Sequence, residues 1–329
     1  MAPREPDFDG VGVDSLDAGG GPAMPAARVA RRALVVVLNY NGLADTLACL
    51  DSLRARTCDG VSVLAIDNGS RADERGAIAA RFPDVETIAL GENRGWAGGN
   101  NVGLRLGLER GFEHICLLNN DTVLPPEALA ELLAAAAAIG APGLLHPMIF
   151  DFADPARPQL APGATPATPD AAARLLAERH GVVEIGWAYG ACLLVPAALA
   201  RRIGLLDERF FLQLEEQDYF RRAQAVGARG YCARRARILH KESVSFGGRL
   251  TPAKTYYQVR NRLLLAEKHD FGPRGMARAL REVFWELRNR SGAPSRLGFF
   301  RWLVSADPFA QAARQGFFHY ATRRFGPRR

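Results

Sequence analysis

The chain has no pair of cysteines at metal-ligand or redox spacing; its five, Cys49, Cys58, Cys116, Cys192 and Cys232, are scattered and odd in number. This argues against a disulfide framework and against a cysteine-based zinc site, and it suits a reducing cytoplasm. The first 30 residues lack the apolar core of a signal sequence; they are acidic, rich in Gly, Pro and Ala, and read as a disordered leader. No uninterrupted apolar run reaches membrane length. The stretch 128–145 is rich in alanine, contains Glu131 and breaks at Gly140 and Pro142, so it reads as a packed helix. Acidic residues are scarce at the end of the chain: residues 271–329 hold 12 Lys and Arg against 3 Asp and Glu, whereas the first 270 hold 30 against 32. The basic excess therefore belongs to the tail and says little about the main body.

What is present fits a folded α/β protein. At 329 residues and 48% apolar, the chain can bury one large core with appendages or two modest ones. The stretches 33–42, 61–70, 85–90 and 114–121 read as strands, and those at 33–42, 61–70 and 114–121 are apolar runs that close in polar residues. Helical spacing lies between them, as in Leu43, Leu47, Leu50 and Leu53. Alternating strands and helices predict an open, mostly parallel, twisted sheet flanked by helices, and ligands of such sheets collect at the carboxyl ends of the strands. Further along, 151–170 reads as a Pro/Ala-rich loop, 183–204 as a strand and short helix, 214–227 as a helix, 231–243 as a strand and 253–269 as a helix.

Several polar clusters sit at predicted strand ends. Asp67 follows "VSVLAI"; it could accept hydrogen bonds from a base or ribose, or close an Asx-turn, which for an isolated residue is the commoner role. "GENRGWAGGNNVG" (91–103) is neither GxGxxG nor GxxxxGK[ST]; its Gly98 and Gly99 would let backbone approach a ligand, and the helix after it would offer N–H groups to an anion. Asp121 closes "LLNND" with Asn119 and Asn120 beside it, a placement that suits Mg²⁺ or Mn²⁺ or, equally, a helix cap. Glu215, Glu216 and Asp218 crowd one stretch, where mutual repulsion and burial can raise a carboxyl pKa toward that of a general base; the alternative is a solvated first helical turn. His240 becomes a metal ligand only if the fold brings it to Asp121.

Taken in order, "LNYNG", "IDNGS", "NRGWAGGNN", "LLNNDT", "YGACLL", "FFLQLEEQDYFRR", "LHKES" and "YYQVRN" resemble the family 2 glycosyltransferases of the GT-A fold, most nearly the bacterial rhamnosyltransferase-like branch that builds surface polysaccharides. The resemblance spans roughly residues 33–265 and implies a Rossmann-like nucleotide-binding half and an acceptor half within 31–270, with 271–329 as a basic helical extension. It further implies that Asn39, Tyr40, Asn41 and Asp67 cradle the base and ribose, and that Asn93, Arg94, Gly99 and Asn100 support the nucleotide and sugar. Asn119, Asn120 and Asp121 stand at the family's Asp-x-Asp metal motif, so Asp121, completed by His240, would hold Mg²⁺ or Mn²⁺. Asn119 replaces the first acid, which leaves one carboxylate where two are usual. Glu216 matches the catalytic base, with Glu where Asp is usual, and Glu215 and Asp218 stay in reserve. Gly190 and Trp187 would shape the sugar site, and Arg260 and Asn261 would close over the diphosphate.

The implied reaction is an inverting, metal-dependent transfer from a nucleotide-diphosphate sugar, dTDP-rhamnose or a UDP-sugar, to a saccharide or lipid-linked acceptor. The alternatives are a catalytically silent nucleotide-sugar-binding protein of the same fold and a sugar-phosphate nucleotidyltransferase, but "LNYNGLADT" lacks the basic glycine loop the latter needs. The tail mixes Arg with Phe, Trp and Leu. It reads either as helices lying on an anionic membrane, placing a cytoplasmic protein at the inner face, or as a helical cap packed on the core. No nucleic-acid motif accompanies its charge.

Overall fold

The computed structural model describes residues 33–140, 143–159, 181–186, 189–241, 251–270 and 272–328. The expected leader at 1–30, most of the 151–170 loop, the end of the 231–243 strand and Trp187 lie outside the described residues.

Strand β1 (Ala33–Asn39) is buried along its whole length, as expected of a central strand covered on both faces. It pairs in parallel with β2 (Val61–Asp67) and β4 (His114–Asn119), and β2 with β3 (Glu86–Ala89). Helices α1 (Leu43–Arg54), α2 (Glu74–Arg81) and α3 (Gly95–Glu109) make the crossovers. Alternation along β1 builds two apolar layers. Val35 and Val37 meet Leu50 and Leu53 of α1, whereas Leu34, Val36 and Leu38 meet Ala97 and Leu104 of α3.

Beyond β4 the sheet is mixed. It runs on through β8 (Cys192–Pro196), β6 (Gly143–Asp151), β9 (Arg229–His240) and β5 (Thr122–Val123), with β7 (Val182–Ile185) also on β9. Among the described strands of this half only β6 and β9 pair in parallel, a departure from the expected mostly parallel sheet that the sequence could not reveal, since a buried apolar run looks the same in either direction. The alanine-rich helix α4 (Ala128–Ile139) is shorter than expected; Gly140 caps it at φ 63°, and residues 143–151 form the buried strand β6. Pro147 argues against a central strand, and the ladder accommodates it by a register shift against β9 between Pro147 and Met148.

Helix α5 (Ala197–Ile203) and α6 (Glu215–Ala225) complete the α3 side, and α7 (Pro252–His269) crosses to the extension. There α8 (Pro273–Ser291), α9 (Arg296–Leu303) and α10 (Pro308–Ala321) pack on α7 through Val259, Val283, Leu287, Phe299 and Ala313. No described helix is long and apolar enough to cross a membrane.

Candidate active site

The parallel ladders bring the ends of β1, β2 and β4 level, pairing Asn39 with Asp67 and Leu38 with Asn119. Asn39 is fully buried; its amide donates to Glu74 Oε2 (2.7 Å) and Asp67 Oδ1 (3.3 Å), and its carbonyl accepts from Thr46 Oγ1 (2.7 Å). Asn120 donates to the same Thr46 hydroxyl (2.9 Å) and to the Gly42 carbonyl (3.3 Å). Both asparagines brace the loop after β1 from beneath. Asp67 also accepts from the Ser70 amide (3.2 Å), so it closes a turn at the end of β2. Tyr40 is half-buried, and Asn41 is exposed at φ 50° with its side chain accepting from the Arg71 amide. These two are the parts of that loop left toward solvent.

The glycine-asparagine segment is used differently from the expectation. Asn93 accepts from the Gly95 amide (2.8 Å), and the amides of Trp96 (2.7 Å) and Ala97 (3.4 Å) donate to the Phe211 carbonyl, so these N–H groups at the start of α3 are already taken. A Cβ on Gly99 would fall 2.5 Å from Leu38, and one on Gly103 would fall 2.5 Å from Val36. These glycines seat α3 on β1 rather than admitting a ligand to backbone. Arg94 is exposed at the N-cap. Asn100 donates to the Trp96 carbonyl (3.0 Å), and its buried Oδ1 has no hydrogen-bond partner. Asn68, which sequence reasoning missed, ties the turn to β2: its Oδ1 accepts from the Arg94 amide (3.0 Å) and its amide donates to the Gly95 carbonyl (3.0 Å).

Asp121 and His240, far apart in sequence, are brought together by the β5–β9 pairing, in which Thr122 faces His240. Both are buried, with His240 Nε2 3.3 Å from Asp121 Oδ1. Gln159 decides the tautomer. Its amide donates to the His240 carbonyl (2.9 Å), so its Oε1 is the atom that faces Nδ1 (2.8 Å) and accepts the proton there. In the neutral ring Nε2 therefore keeps its lone pair, and that buried atom makes no aligned hydrogen bond. Neighbouring ligands of an octahedral ion at about 2.1 Å stand roughly 3 Å apart, so the pair fits Mg²⁺ or Mn²⁺. Among the described residues no group of three or more His, Cys, Asp or Glu could hold a metal. A cation held by this pair alone would need substrate phosphate oxygens and water to complete its shell.

At the first-acid position, Asn119 accepts from the Trp96 indole (2.8 Å). Trp96 is the second residue missed; its only sequence signal was a lone Trp among Gly and Asn. A Cβ on Gly190 would lie 3.7 Å from the Glu216 carboxyl carbon and 3.7 Å from the Trp96 ring. The neighbours of Gly190 reach His240 and the end of β4: the Tyr189 ring sits edge-on to His240 at 6.2 Å, and the Ala191 carbonyl accepts from the Asn119 amide (2.9 Å). The segment 189–191 and Trp96 thus join Glu216 to the Asn119–Asp121 turn.

The three clustered acids have three different surroundings. Glu216 is partly open, and loss of hydration pushes its pKa up to about 7. Glu215 is sealed, its Oε2 without a hydrogen-bond partner; burial first, then the Glu216 charge, raise its pKa well above the carboxylate range. Asp218 is no reserve base. It is fully buried and bound by Lys268 Nζ (2.5 Å), His269 Nε2 (2.8 Å) and Arg222 Nε (2.9 Å). Burial works to raise its pKa, but His269, Arg222 and Lys268 bring it below the usual value.

Arg260 and Asn261, expected over the diphosphate, are also buried and spent elsewhere. Arg260 donates to the carbonyls of Arg209 (2.9 Å), Phe210 (2.8 Å) and Gly326 (2.7 Å), and Asn261 to those of Phe210 (2.9 Å), Leu212 (2.8 Å) and Gln213 (2.7 Å). The loop they grip holds Phe211, Gln213 and Leu214 at φ 62°, 72° and 73°, and Glu215 begins the next helix. Such left-handed residues are costly without glycine and persist only when the surroundings over-determine them. Arg260 and Asn261 position the helix that carries Glu216.

Comparison with known proteins agrees with this frame. The family model "Glycosyl transferase family 2" matches residues 34–174. A low-salt glycan biosynthesis hexosyltransferase, Agl10, of Haloferax volcanii is 25% identical over 240 residues, covering 70% of this chain and 74% of its own. An N-acetylglucosaminyl-diphospho-decaprenol L-rhamnosyltransferase of Mycobacterium tuberculosis is 28% identical over 287 residues, covering 80% and 91%. The mannosyltransferase PcManGT of Pyrobaculum calidifontis, solved with GDP-Man and Mn²⁺, superposes with TM-score 0.53 at 14% identity over 89% of this chain and 88% of its own, a likeness of fold. Fold, matched segment and relatives converge on the family 2 glycosyltransferases of the GT-A fold: residues 34–174 match that family's model, and the chain is similar to rhamnosyltransferases and hexosyltransferases.

Proposed function

We propose that the chain transfers a sugar, with rhamnose the first candidate, from a nucleoside-diphosphate donor to a saccharide or lipid-linked acceptor, inverting the anomeric carbon, in the cytoplasm or at the inner face of the membrane. The observation that supports this reading is the placement of Glu216, its pKa pushed up to about 7, beside Gly190, whose neighbour Tyr189 packs edge-on to His240, the residue paired with Asp121. Glu216 removes the proton of the acceptor hydroxyl as it attacks from the face opposite the diphosphate. Asp121 and His240 would hold Mg²⁺ or Mn²⁺, and the ion would supply positive charge to the leaving diphosphate. Tyr40, Asn41 and Asp67 line the base and ribose side. The donor and acceptor classes draw support from the GDP-Man and Mn²⁺ in the mannosyltransferase structure and from the decaprenol-linked acceptor in the mycobacterial relative's name.

The test is a panel of dTDP-rhamnose, UDP-hexoses and GDP-mannose with Mn²⁺, Mg²⁺ or EDTA, with the product anomer read by proton NMR. Glu216→Gln should lower kcat by about 10²–10⁴-fold while calorimetry still detects donor binding. Full transfer by Glu216→Gln would place the base elsewhere. Donor binding without turnover in the wild type would favour the silent alternative.

A further inference from the structure

We propose that helices α8 and α9 present a face that docks on an anionic phospholipid bilayer. The proposal deepens the membrane-face placement given above, and the surface observations that carry it do not use the transferase assignment. Among the described residues every large exposed apolar side chain lies in the extension: Phe284 (37% exposed), Trp285 (70%), Leu297 (63%), Phe300 (57%), Val304 (74%) and Phe318 (53%). The body before residue 270 has none among its described residues, so the pattern is not a general looseness of the surface.

Helical geometry groups these side chains. Ala279, Val283 and Leu287 of α8 face the core, which leaves Arg281, Trp285 and Arg288 on the opposite side. Leu297, Phe300, Arg301 and Val304 follow the spacing i, i+3, i+4, i+7 and share one face of α9 and its cap. The two helices meet through an aromatic chain, with Phe284 6.2 Å from Phe299 and Phe299 5.8 Å from Phe300, so the exposed groups adjoin.

Charge selects the partner. Arg281, Arg288, Arg296 and Arg301 are exposed and, among the described residues, form no ion pair, whereas Arg278 and Arg290 are paired with Asp270 and Glu286. The two acids of α8, Glu282 and Glu286, lie 3.5 and 3.4 Å from Arg262 of α7. The face is thus left with cations interleaved among Trp, Phe and Leu, the composition that settles at the headgroup level of anionic lipid. Arg290 further ties α8 to α7 through Thr255 (2.7 Å) and Gln258 (2.5 Å). Since α7 holds the loop before Glu216, a docked protein would keep its active site in a defined orientation to lipid-borne substrates.

The test is flotation of the full chain with neutral phosphatidylcholine vesicles and with vesicles carrying roughly a third phosphatidylglycerol. Floating with the anionic vesicles alone is the expected result, and each of Arg281→Gln, Arg288→Gln and Arg301→Gln should weaken it roughly fivefold. Trp285→Ser combined with Phe300→Ser should abolish it, with an unchanged thermal melt because both side chains are exposed. The proposal is overturned if the wild type stays out of the anionic vesicles, or if the double variant floats as the wild type does. It is also overturned if light scattering shows a dimer that this variant dissolves while no vesicle binding occurs, which would make a second copy the occupant. No sugar donor is present, so the result stands apart from that of the transfer assay.

Discussion

Glu215 and Glu216 are neighbours with opposite fates, and the difference is access. Glu215 is buried, and burial with the adjacent Glu216 charge raises its pKa well above the carboxylate range; Glu216 is partly open, with its pKa pushed up to about 7. Transfer should therefore rise with pH through the neutral range as Glu216 ionises. The stability effect has the opposite sense. Below the ordinary value of 4.5 both folded and unfolded chains hold the proton; as pH rises the unfolded chain ionises first, and stability falls until about pH 7. Glu216→Gln should accordingly raise Tm at pH 8 and leave it unchanged at pH 4, measured by scanning calorimetry. Gln159 acts at the same scale by holding the His240 tautomer. Gln159→Leu should weaken Mn²⁺ binding about 10–100-fold in calorimetric titration, whatever happens to turnover. Asp121, His240 and Glu216 stood out in the sequence as strand-end or clustered polar residues, but each also had an ordinary structural reading, and only the resemblance gave them roles. Gln159 did not stand out, because nothing in a Pro/Ala-rich stretch announces a partner 81 positions away.

At the scale of elements, the loop before α6 shows how a strained backbone is held. Three non-glycine residues in the left-handed region are fastened by a buried guanidinium and a buried amide on α7, and Gly326 near the end of the chain accepts one of the same hydrogen bonds. Lysine cannot reproduce the planar, multiply donating head. Arg260→Lys should cost about 3 kcal/mol in denaturant unfolding, by leaving buried carbonyls unpaired, and should lower kcat far more than it changes donor KM, since the base is displaced while the nucleotide loop is untouched. The periodic helices and the first four strands were readable from local pattern alone. Strand β6 was missed because its first residues were read into the alanine-rich helix, and its Pro147 is tolerated only through a register shift against β9.

For the whole molecule, the hub at Asp218 joins the body to the C-terminal helices, because Lys268 and His269 of α7 and Arg222 of α6 converge on it. Its lowered pKa means that the stabilisation is present above the ordinary carboxylate value and fades as pH falls through the depressed one. Asp218→Asn should lower Tm at pH 7 by several degrees, with the gap narrowing under acid, as followed by circular dichroism.

By itself the sequence determined the alternation of buried runs and helical faces, the polar strand ends and the basic bias of the tail, because each depends on spacing within one segment. Only the tertiary structure decided which polar residues work and which hold. Asp218 and Arg260 belong to the frame, and Asn119 receives the Trp96 indole. The first glycines of α3 serve packing, and α8 and α9 turn arginine and tryptophan outward. A carboxylate, a guanidinium or an amide acts through its partners, and those partners arrive from distant parts of the chain only when the sheet and its helices close.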